Sequence, residues 1–449
     1  MYISTYKIRQ RSRATTLCSK HRYSREYHSK LFVILRKIIV LSSLVIYSGT
    51  CLSFELIPER RKDQNPTNPA HLIAPLPYSK PGIGEGLILL GTVSNVANTT
   101  ADISAVFVGG DAEGTILTGS EIPLYSDILF LDFNLQDIDR AAVYNYTTRG
   151  ISSAGENDFT VLDLNKATEN SVKLNLTFFE RRLNFYYEYS EFEYQVESIR
   201  DSNGELITTL GKPFVNSGDN QSFRASIDLT DDYLDARQGV RLDVGYQNHK
   251  ADSINRPDFY TVDFNLLGYI PVGQSDTLVL NYYQSDAHVK RRGNTNPDSI
   301  RAELDSNCSP GDTICLTTEQ ELINNTISAR TYGTSTELGG DLRLRSYPQG
   351  RYQGAHTAFI GVEYRWNISQ EITPFDYFIW KDVRTGLQVA FFAEFGTVSE
   401  TSADLWNKTR YSIGTGFRLI GASGAVYRAD IAAGDEGTEL IVIFDYPWE

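Results

Sequence analysis

Few residues in this 449-residue chain are spaced for covalent chemistry. The six histidines are His21, His28, His71, His249, His288 and His356, and no pair has the spacing that a helical metal site needs. No Gly-x-Ser-x-Gly run is present to hold a nucleophile on a strained elbow. Cys308 and Cys315 have six residues between them in a polar stretch with no histidine nearby. In an exported protein such a pair reads as a loop disulfide and not as a metal site. The expectation is therefore no catalytic residue, no metal and no cofactor.

The residues with most to do are charged, and they lie in the last third. Glu363 and Arg365 alternate with Ala358, Ile360, Val362, Tyr364 and Trp366 along 355–366. Glu394 alternates with Val389, Phe391, Ala393 and Phe395, and Arg410, Ser412, Gly414, Gly416 and Arg418 share one parity of 409–419. Arg428 and Asp430 follow in 425–433. Successive side chains of a strand point to opposite faces, so one face of these runs is apolar and the other carries both signs of charge. Charges enclosed together must pair or stay hydrated. The chemistry on offer is ion pairing, with a guanidinium fork able to hold a carboxylate through two bonds at once.

The elements that would position these groups show the same alternation elsewhere, as in Val172–Phe178, Val240–Gln247 and Tyr260–Leu266. Such runs fit a soluble sandwich or a membrane barrel. Runs of about ten residues match the length of a tilted membrane-crossing strand, whereas ordinary strands average about five or six. Aromatic residues cluster at run ends, as at Tyr186-Tyr187, Tyr282-Tyr283 and Tyr446-Pro447-Trp448, where interfacial girdles belong. The last run reaches the final residues and must pair to avoid an open edge. The prediction is all-β: a transmembrane antiparallel β-barrel of about sixteen strands, an even number as closure requires. Candidate strands run from 86–95 to 438–448 and include 126–136, 139–148, 158–165 and 170–180, with 114–120 a possible substitute. The largest gap, 288–354, is read as a long loop.

Residues 1–53 read as a targeting region, with Arg36-Lys37 before the short apolar run Ile38–Tyr47 and small residues after it. Residues 54–83, with six prolines, read as an irregular periplasmic lead segment, and 84–449 as the barrel. The first 53 residues hold ten of the 42 Lys/Arg and one of the 56 Asp/Glu, so 32 basic against 55 acidic residues remain, a net charge of −23. That balance excludes nucleic acid as a partner and leaves outer-membrane lipid and lipopolysaccharide as the surroundings.

One segment is more specific. Leu338-Gly339-Gly340-Asp341-Leu342-Arg343-Leu344-Arg345-Ser346-Tyr347 runs on through Gly350-Arg351-Tyr352. It resembles the sixth extracellular loop of the BamA/TamA superfamily of outer-membrane barrels, also called bacterial surface antigens. Val362-Glu363-Tyr364-Arg365, Phe392–Gly396, Gly414–Arg418 and Tyr427–Ile431 resemble that family's last strands in order. The resemblance implies that the loop folds into the lumen and that Arg345 pairs with Glu394, or with Glu363. Gly339, Gly340, Tyr347, Gly350 and Arg351 would shape the loop. Ser346 replaces the family's usual Gly, and Glu394 its usual Asp. Residues 54–83 are too short for the family's periplasmic POTRA domain, which suggests a POTRA-less branch. The function implied is assembly or translocation of client outer-membrane proteins, with accessory periplasmic proteins as further partners. The alternative is a passive pore or structural surface antigen.

Overall fold

The computed structural model describes residues 69–448, apart from 147, 153–157, 234, 252, 305–310, 312, 370–374, 378–379, 384 and 422–425. Four strands open the sheet: β1 (Ala70–Lys80), β2 (Gly84–Ser94), β3 (Asp102–Gly110) and β4 (Glu113–Tyr125). Four long ones follow, β5 (Leu129–Tyr146), β6 (Phe159–Phe178), β7 (Leu183–Arg200) and β8 (Leu206–Asp228). Next come β9 (Gly239–His249), β10 (Asp258–Val272), β11 (Asp276–Arg291) and β12 (His356–Asn367). After a separate hairpin of β13 (Phe375–Tyr377) and β14 (Trp380–Val383), the sheet resumes. Its last strands are β15 (Thr385–Ser399), β16 (Arg410–Gly421), β17 (Val426–Gly434) and β18 (Gly437–Phe444).

All but the small hairpin join in one closed antiparallel barrel of sixteen strands, in which β1 stands between β2 and β18. The connection between β11 and β12 is the longest and carries helices α1 (Pro297–Leu304) and α2 (Thr313–Tyr332). The end of the barrel holding this loop is called upper here. The lower end is where β1 begins and β18 finishes.

The two faces of the wall meet different surroundings. Leu87, Phe107, Phe223, Ile360, Trp366, Phe391, Phe417 and Leu440 point out and stay exposed. Glu363, Glu394, Arg418 and Asp430 point in and are fully enclosed. An apolar outer belt on a closed sheet is the form in which strands cross a lipid bilayer, because neighbouring strands satisfy each other's backbone donors and acceptors.

Three differences from the sequence reading have physical causes. Residues 70–80, expected to be irregular, form β1 despite Pro75 and Pro77. Proline lacks an amide donor and is tolerated where a strand is paired on one side only. Residues Ala70 to Lys80 are in register with β2 from Ser94 to Gly84, but toward β18 the register holds one pair, Ser79 with Val442. The expected strands 126–136 and 139–148 are one strand, β5, and 158–165 and 170–180 are likewise one, β6. The β4–β5 register shifts between Gly114–Ile138 and Glu113–Arg140, and the β6–β7 register shifts on either side of Leu164, bulges that break the alternation while each strand continues.

The third difference is at the closing aromatics. Tyr446 and Trp448 do not join an interfacial girdle; both are buried inside the barrel. β18 ends at Phe444, and Asp445 turns the chain inward with φ 75°. Of the Tyr282-Tyr283 pair, Tyr283 also faces in and is buried, as alternation requires. Ala358, expected on the lipid side, is fully buried. It pairs across the sheet with Thr397, whose Oγ1 accepts the amide of Trp406, so the β15–β16 connection folds down over that spot.

Candidate functional site in the lumen

The loop after α2 enters the barrel as a tight double-backed turn. Leu338 and Tyr352 form an isolated antiparallel bridge. Within it the amide of Gly339 donates to the Arg343 carbonyl at 3.0 Å, and that of Gly340 to the Tyr347 carbonyl at 2.7 Å. Gly339 has φ 106°, and a Cβ there would lie 2.2 Å from the Pro348 carbonyl oxygen. No other residue fits that position. Leu344 also has positive φ, 55°, a conformation that costs a branched residue about 1 kcal/mol or more. The cost is met next door, at Arg345.

Arg345 is fully buried and engages three carboxylates from three strands. Its Nε donates to Glu394 Oε1 on β15 at 2.8 Å and its Nη1 to Asp430 Oδ2 on β17 at 2.8 Å. Its Nη2 donates to Glu363 Oε2 on β12 at 3.2 Å. The Arg345 amide adds a bond to Glu394 Oε2 at 2.8 Å. Both sequence-derived partners are thus present, and Asp430 is a third that the parity of its strand had placed inside without assigning it a role. Glu363 is clasped again by Arg418, through Nη1 at 2.6 Å and Nη2 at 2.5 Å, and by Arg365 Nε at 2.9 Å. Arg428 Nη1 reaches Asp430 Oδ2 at 2.6 Å, and its Nη2 reaches the Asp341 carbonyl of the loop at 2.6 Å.

Four guanidinium groups therefore face three carboxylates. Aromatic faces and carbonyls supply the remaining negative potential. The Arg345 guanidinium carbon stands 3.3 Å from the Phe392 ring centre, and that of Arg365 stands 3.9 Å from the Tyr446 ring centre.

Wall glycines make room for the loop. A Cβ on Gly396 of β15 would approach Leu338 Cδ1 to 2.6 Å and Leu344 Cδ1 to 2.9 Å. One on Gly434, at the end of β17, would meet Ser346 Oγ at 2.3 Å. The departure at Ser346 is thus accommodated: its amide donates to Ser412 Oγ at 3.0 Å, and its hydroxyl lies over a residue without a side chain. Tyr347 and Tyr352 are buried and meet edge to face at 5.2 Å.

A second anchor was not foreseen. Arg351 binds Glu436 in bidentate fashion, Nε to Oε2 at 2.6 Å and Nη2 to Oε1 at 2.7 Å. Glu436 lies in the β17–β18 turn, and its only sequence signal is an acid in a tight turn. Near the upper mouth, burial raises the Glu337 carboxyl to about 7, with Arg149 pulling the other way. Gly350, with φ 70°, packs beside that carboxylate. Across the bore, between β6 and β10, remains a polar cavity of about 220 Å³ lined by Glu169, Glu188, Arg224 and Asp263 among others. Among the described residues no His, Cys, Asp and Glu group is arranged to hold a metal ion. The expected Cys308–Cys315 disulfide falls outside the described residues, which do not include Cys308.

No protein-family model and no curated protein matches the chain. Among solved structures it is similar to BamA from Haemophilus ducreyi lacking POTRA domains 1–3, at 12% identity and a TM-score of 0.48, covering 84% of this chain and 70% of that one. It is also similar to CdiB from Escherichia coli, at 9% identity and a TM-score of 0.44, and to CdiB from Acinetobacter baumannii, at 11% and 0.40. Each covers 84% of this chain, which in turn spans 62% and 59% of the two CdiB chains.

Proposed function

We propose that this chain is a bacterial outer-membrane barrel that inserts or translocates other proteins, in the manner of the BamA/TamA superfamily its loop resembles. The observation that carries the reading is Arg345, set by the loop against Glu394, Glu363 and Asp430. Glu363 and Asp430 also have guanidinium partners on the wall, but among the described residues Glu394 is paired with Arg345 alone, so a wall carboxylate and a strained turn serve one loop residue. A second feature agrees. The β1–β18 seam holds a single registered pair, supplemented by Ser79 Oγ to the Leu440 carbonyl at 3.0 Å and Tyr427 Oη to the Pro77 carbonyl at 2.7 Å. Few ladder bonds would have to break for a client strand to enter there, and a bore occupied by the loop counts against a passive pore.

The test is a lock across the seam. Ser79→Cys with Val442→Cys, in a background without native cysteines, places thiols on directly opposed residues, within the reach of a disulfide. The purified full chain in liposomes is then offered a urea-denatured outer-membrane barrel as client. Insertion that falls at least fivefold on oxidation and returns on reduction is the expected result. Equal insertion in both states refutes entry through the seam, and none in either state favours the surface-antigen alternative.

A further inference from the structure

The segment that follows β18 turns up into the bore instead of continuing down the sheet. Asp445 and Trp448 both take positive φ, 75° and 74°. Tyr446 Oη donates to Asp235 Oδ1 in the β8–β9 turn at 2.8 Å. The Trp448 carbonyl accepts from Asn265 Nδ2 on β10 at 2.9 Å, and its indole meets Phe359 edge to face at 5.9 Å. A Cβ on Gly361 of β12 would lie 2.5 Å from that indole. The indole therefore occupies a seat left open by a glycine, just as the loop does at Gly396 and Gly434.

These partners are far from β18 around the wall. In sheet order β10 stands six strands beyond β18 in a ring of sixteen, so Asp445–Trp448 bridges the bore instead of lining it. It also reaches the loop anchor. Trp448 Nε1 donates to Glu394 Oε1 at 3.0 Å, the same oxygen that accepts Arg345 Nε at 2.8 Å. The Arg345 guanidinium stands 5.4 Å from the Trp448 ring centre.

We propose that Asp445–Trp448 is an internal strap that closes the bore from below and holds the loop in its seat from the side opposite the loop's entry. Glu394 is the shared point. With the indole gone, the carboxylate keeps Arg345 but loses one donor and the packing that fixes its rotamer. With Arg345 gone, it is left enclosed beside a neutral indole. Each occupant thus makes the other's seat more favourable, and such coupling between two sites is reciprocal. Because the strap continues directly from β18, it also ties the seam strand to the opposite wall. This inference does not depend on any client, and its readouts are loop accessibility and conductance.

The experiment uses the full chain with its four native cysteines changed to serine and a Ser346→Cys reporter at the buried loop tip. Labelling by a membrane-impermeant thiol reagent in liposomes reads loop seating, and single-channel steps in a planar bilayer read closure. Trp448→Ala is expected to raise the labelling rate at least tenfold and to open conductance steps absent from the parent. Labelling and conductance both within twofold of the parent, in a barrel that still migrates as folded, would overturn the strap. If Trp448→Ala does not fold, Trp448→Phe retains a ring over Gly361 and removes only the Nε1 donor. A severalfold rise in labelling is then expected, and parental labelling would overturn the coupling through Glu394.

Discussion

Replacing Arg345 with alanine gives the largest single effect on the loop, and the contacts set its size. The side chain makes three charge-assisted bonds with no solvent exposure on either side. Removing one partner of a buried ion pair costs about 3–5 kcal/mol, mostly because the other charge is left enclosed and unpaired. Here the penalty is uneven. Glu363 keeps Arg418 and Arg365, and Asp430 keeps Arg428. Among the described residues, Glu394 is left with the Trp448 indole and the backbone amide of residue 345. Glu394 should therefore account for most of the loss, which amounts to a shift of roughly two to three and a half powers of ten toward the released loop. Amide hydrogen exchange over 338–352 reads that equilibrium, since local opening sets protection. Protection should fall by that factor in Arg345→Ala, and by much less when Glu394→Gln is already present, because the neutral amide no longer needs a counter-charge. Arg345→Ala protection within threefold of wild type would refute the argument, as would additive losses in the double variant.

Further expectations concern the remaining anchors. Glu337 titrates near 7 when the loop is seated and near its ordinary value of 4.5 when released; the seated state thus binds the extra proton between those values, and seating weakens as pH rises through that window, by at most about 3 kcal/mol. Exchange protection of the loop at pH 5 should exceed that at pH 8 after correction for intrinsic rates, and Glu337→Gln should abolish the difference. Gly396→Ala should destabilise the seated loop by about 1–3 kcal/mol through overpacking against Leu338 and Leu344, visible as protease cleavage at the loop in intact barrels; unchanged protection would show that the loop adapts. Glu436→Gln should cost about 1.5–3 kcal/mol by weakening the bidentate clasp on Arg351, read as a drop in the temperature at which the folded band is lost on gels; an unchanged temperature would place the anchor at the loop tip alone.

The wall was legible wherever alternation was strict. Parity alone put Glu363, Arg365, Glu394, Arg418 and Asp430 on one face, and the structure encloses all five. The loop motif supplied the Arg345–Glu394 pair. Convergence was not legible. That β12, β15 and β17 bring three acids to one guanidinium depends on stagger between strands, which no single strand encodes. Pro75 and Pro77 hid β1, because a proline argues against a strand only when both edges are paired. Trp448 was misplaced for a related reason: an aromatic residue after a strand reads as a girdle unless the backbone turns inward, and nothing in Asp445-Tyr446-Pro447 announces the positive φ that turns it.

The charge count on the wall bears on how this barrel is built. Before the loop arrives, Arg365, Arg418 and Arg428 face Glu363, Glu394 and Asp430, three against three. The wall's own share of the cluster is therefore balanced, and the fourth guanidinium comes from the loop alone. A released loop would leave behind a wall cluster that is neutral in itself. The charge balance of the wall is thus set independently of the loop, so the occupancy of the bore and the integrity of the fold rest on different charges.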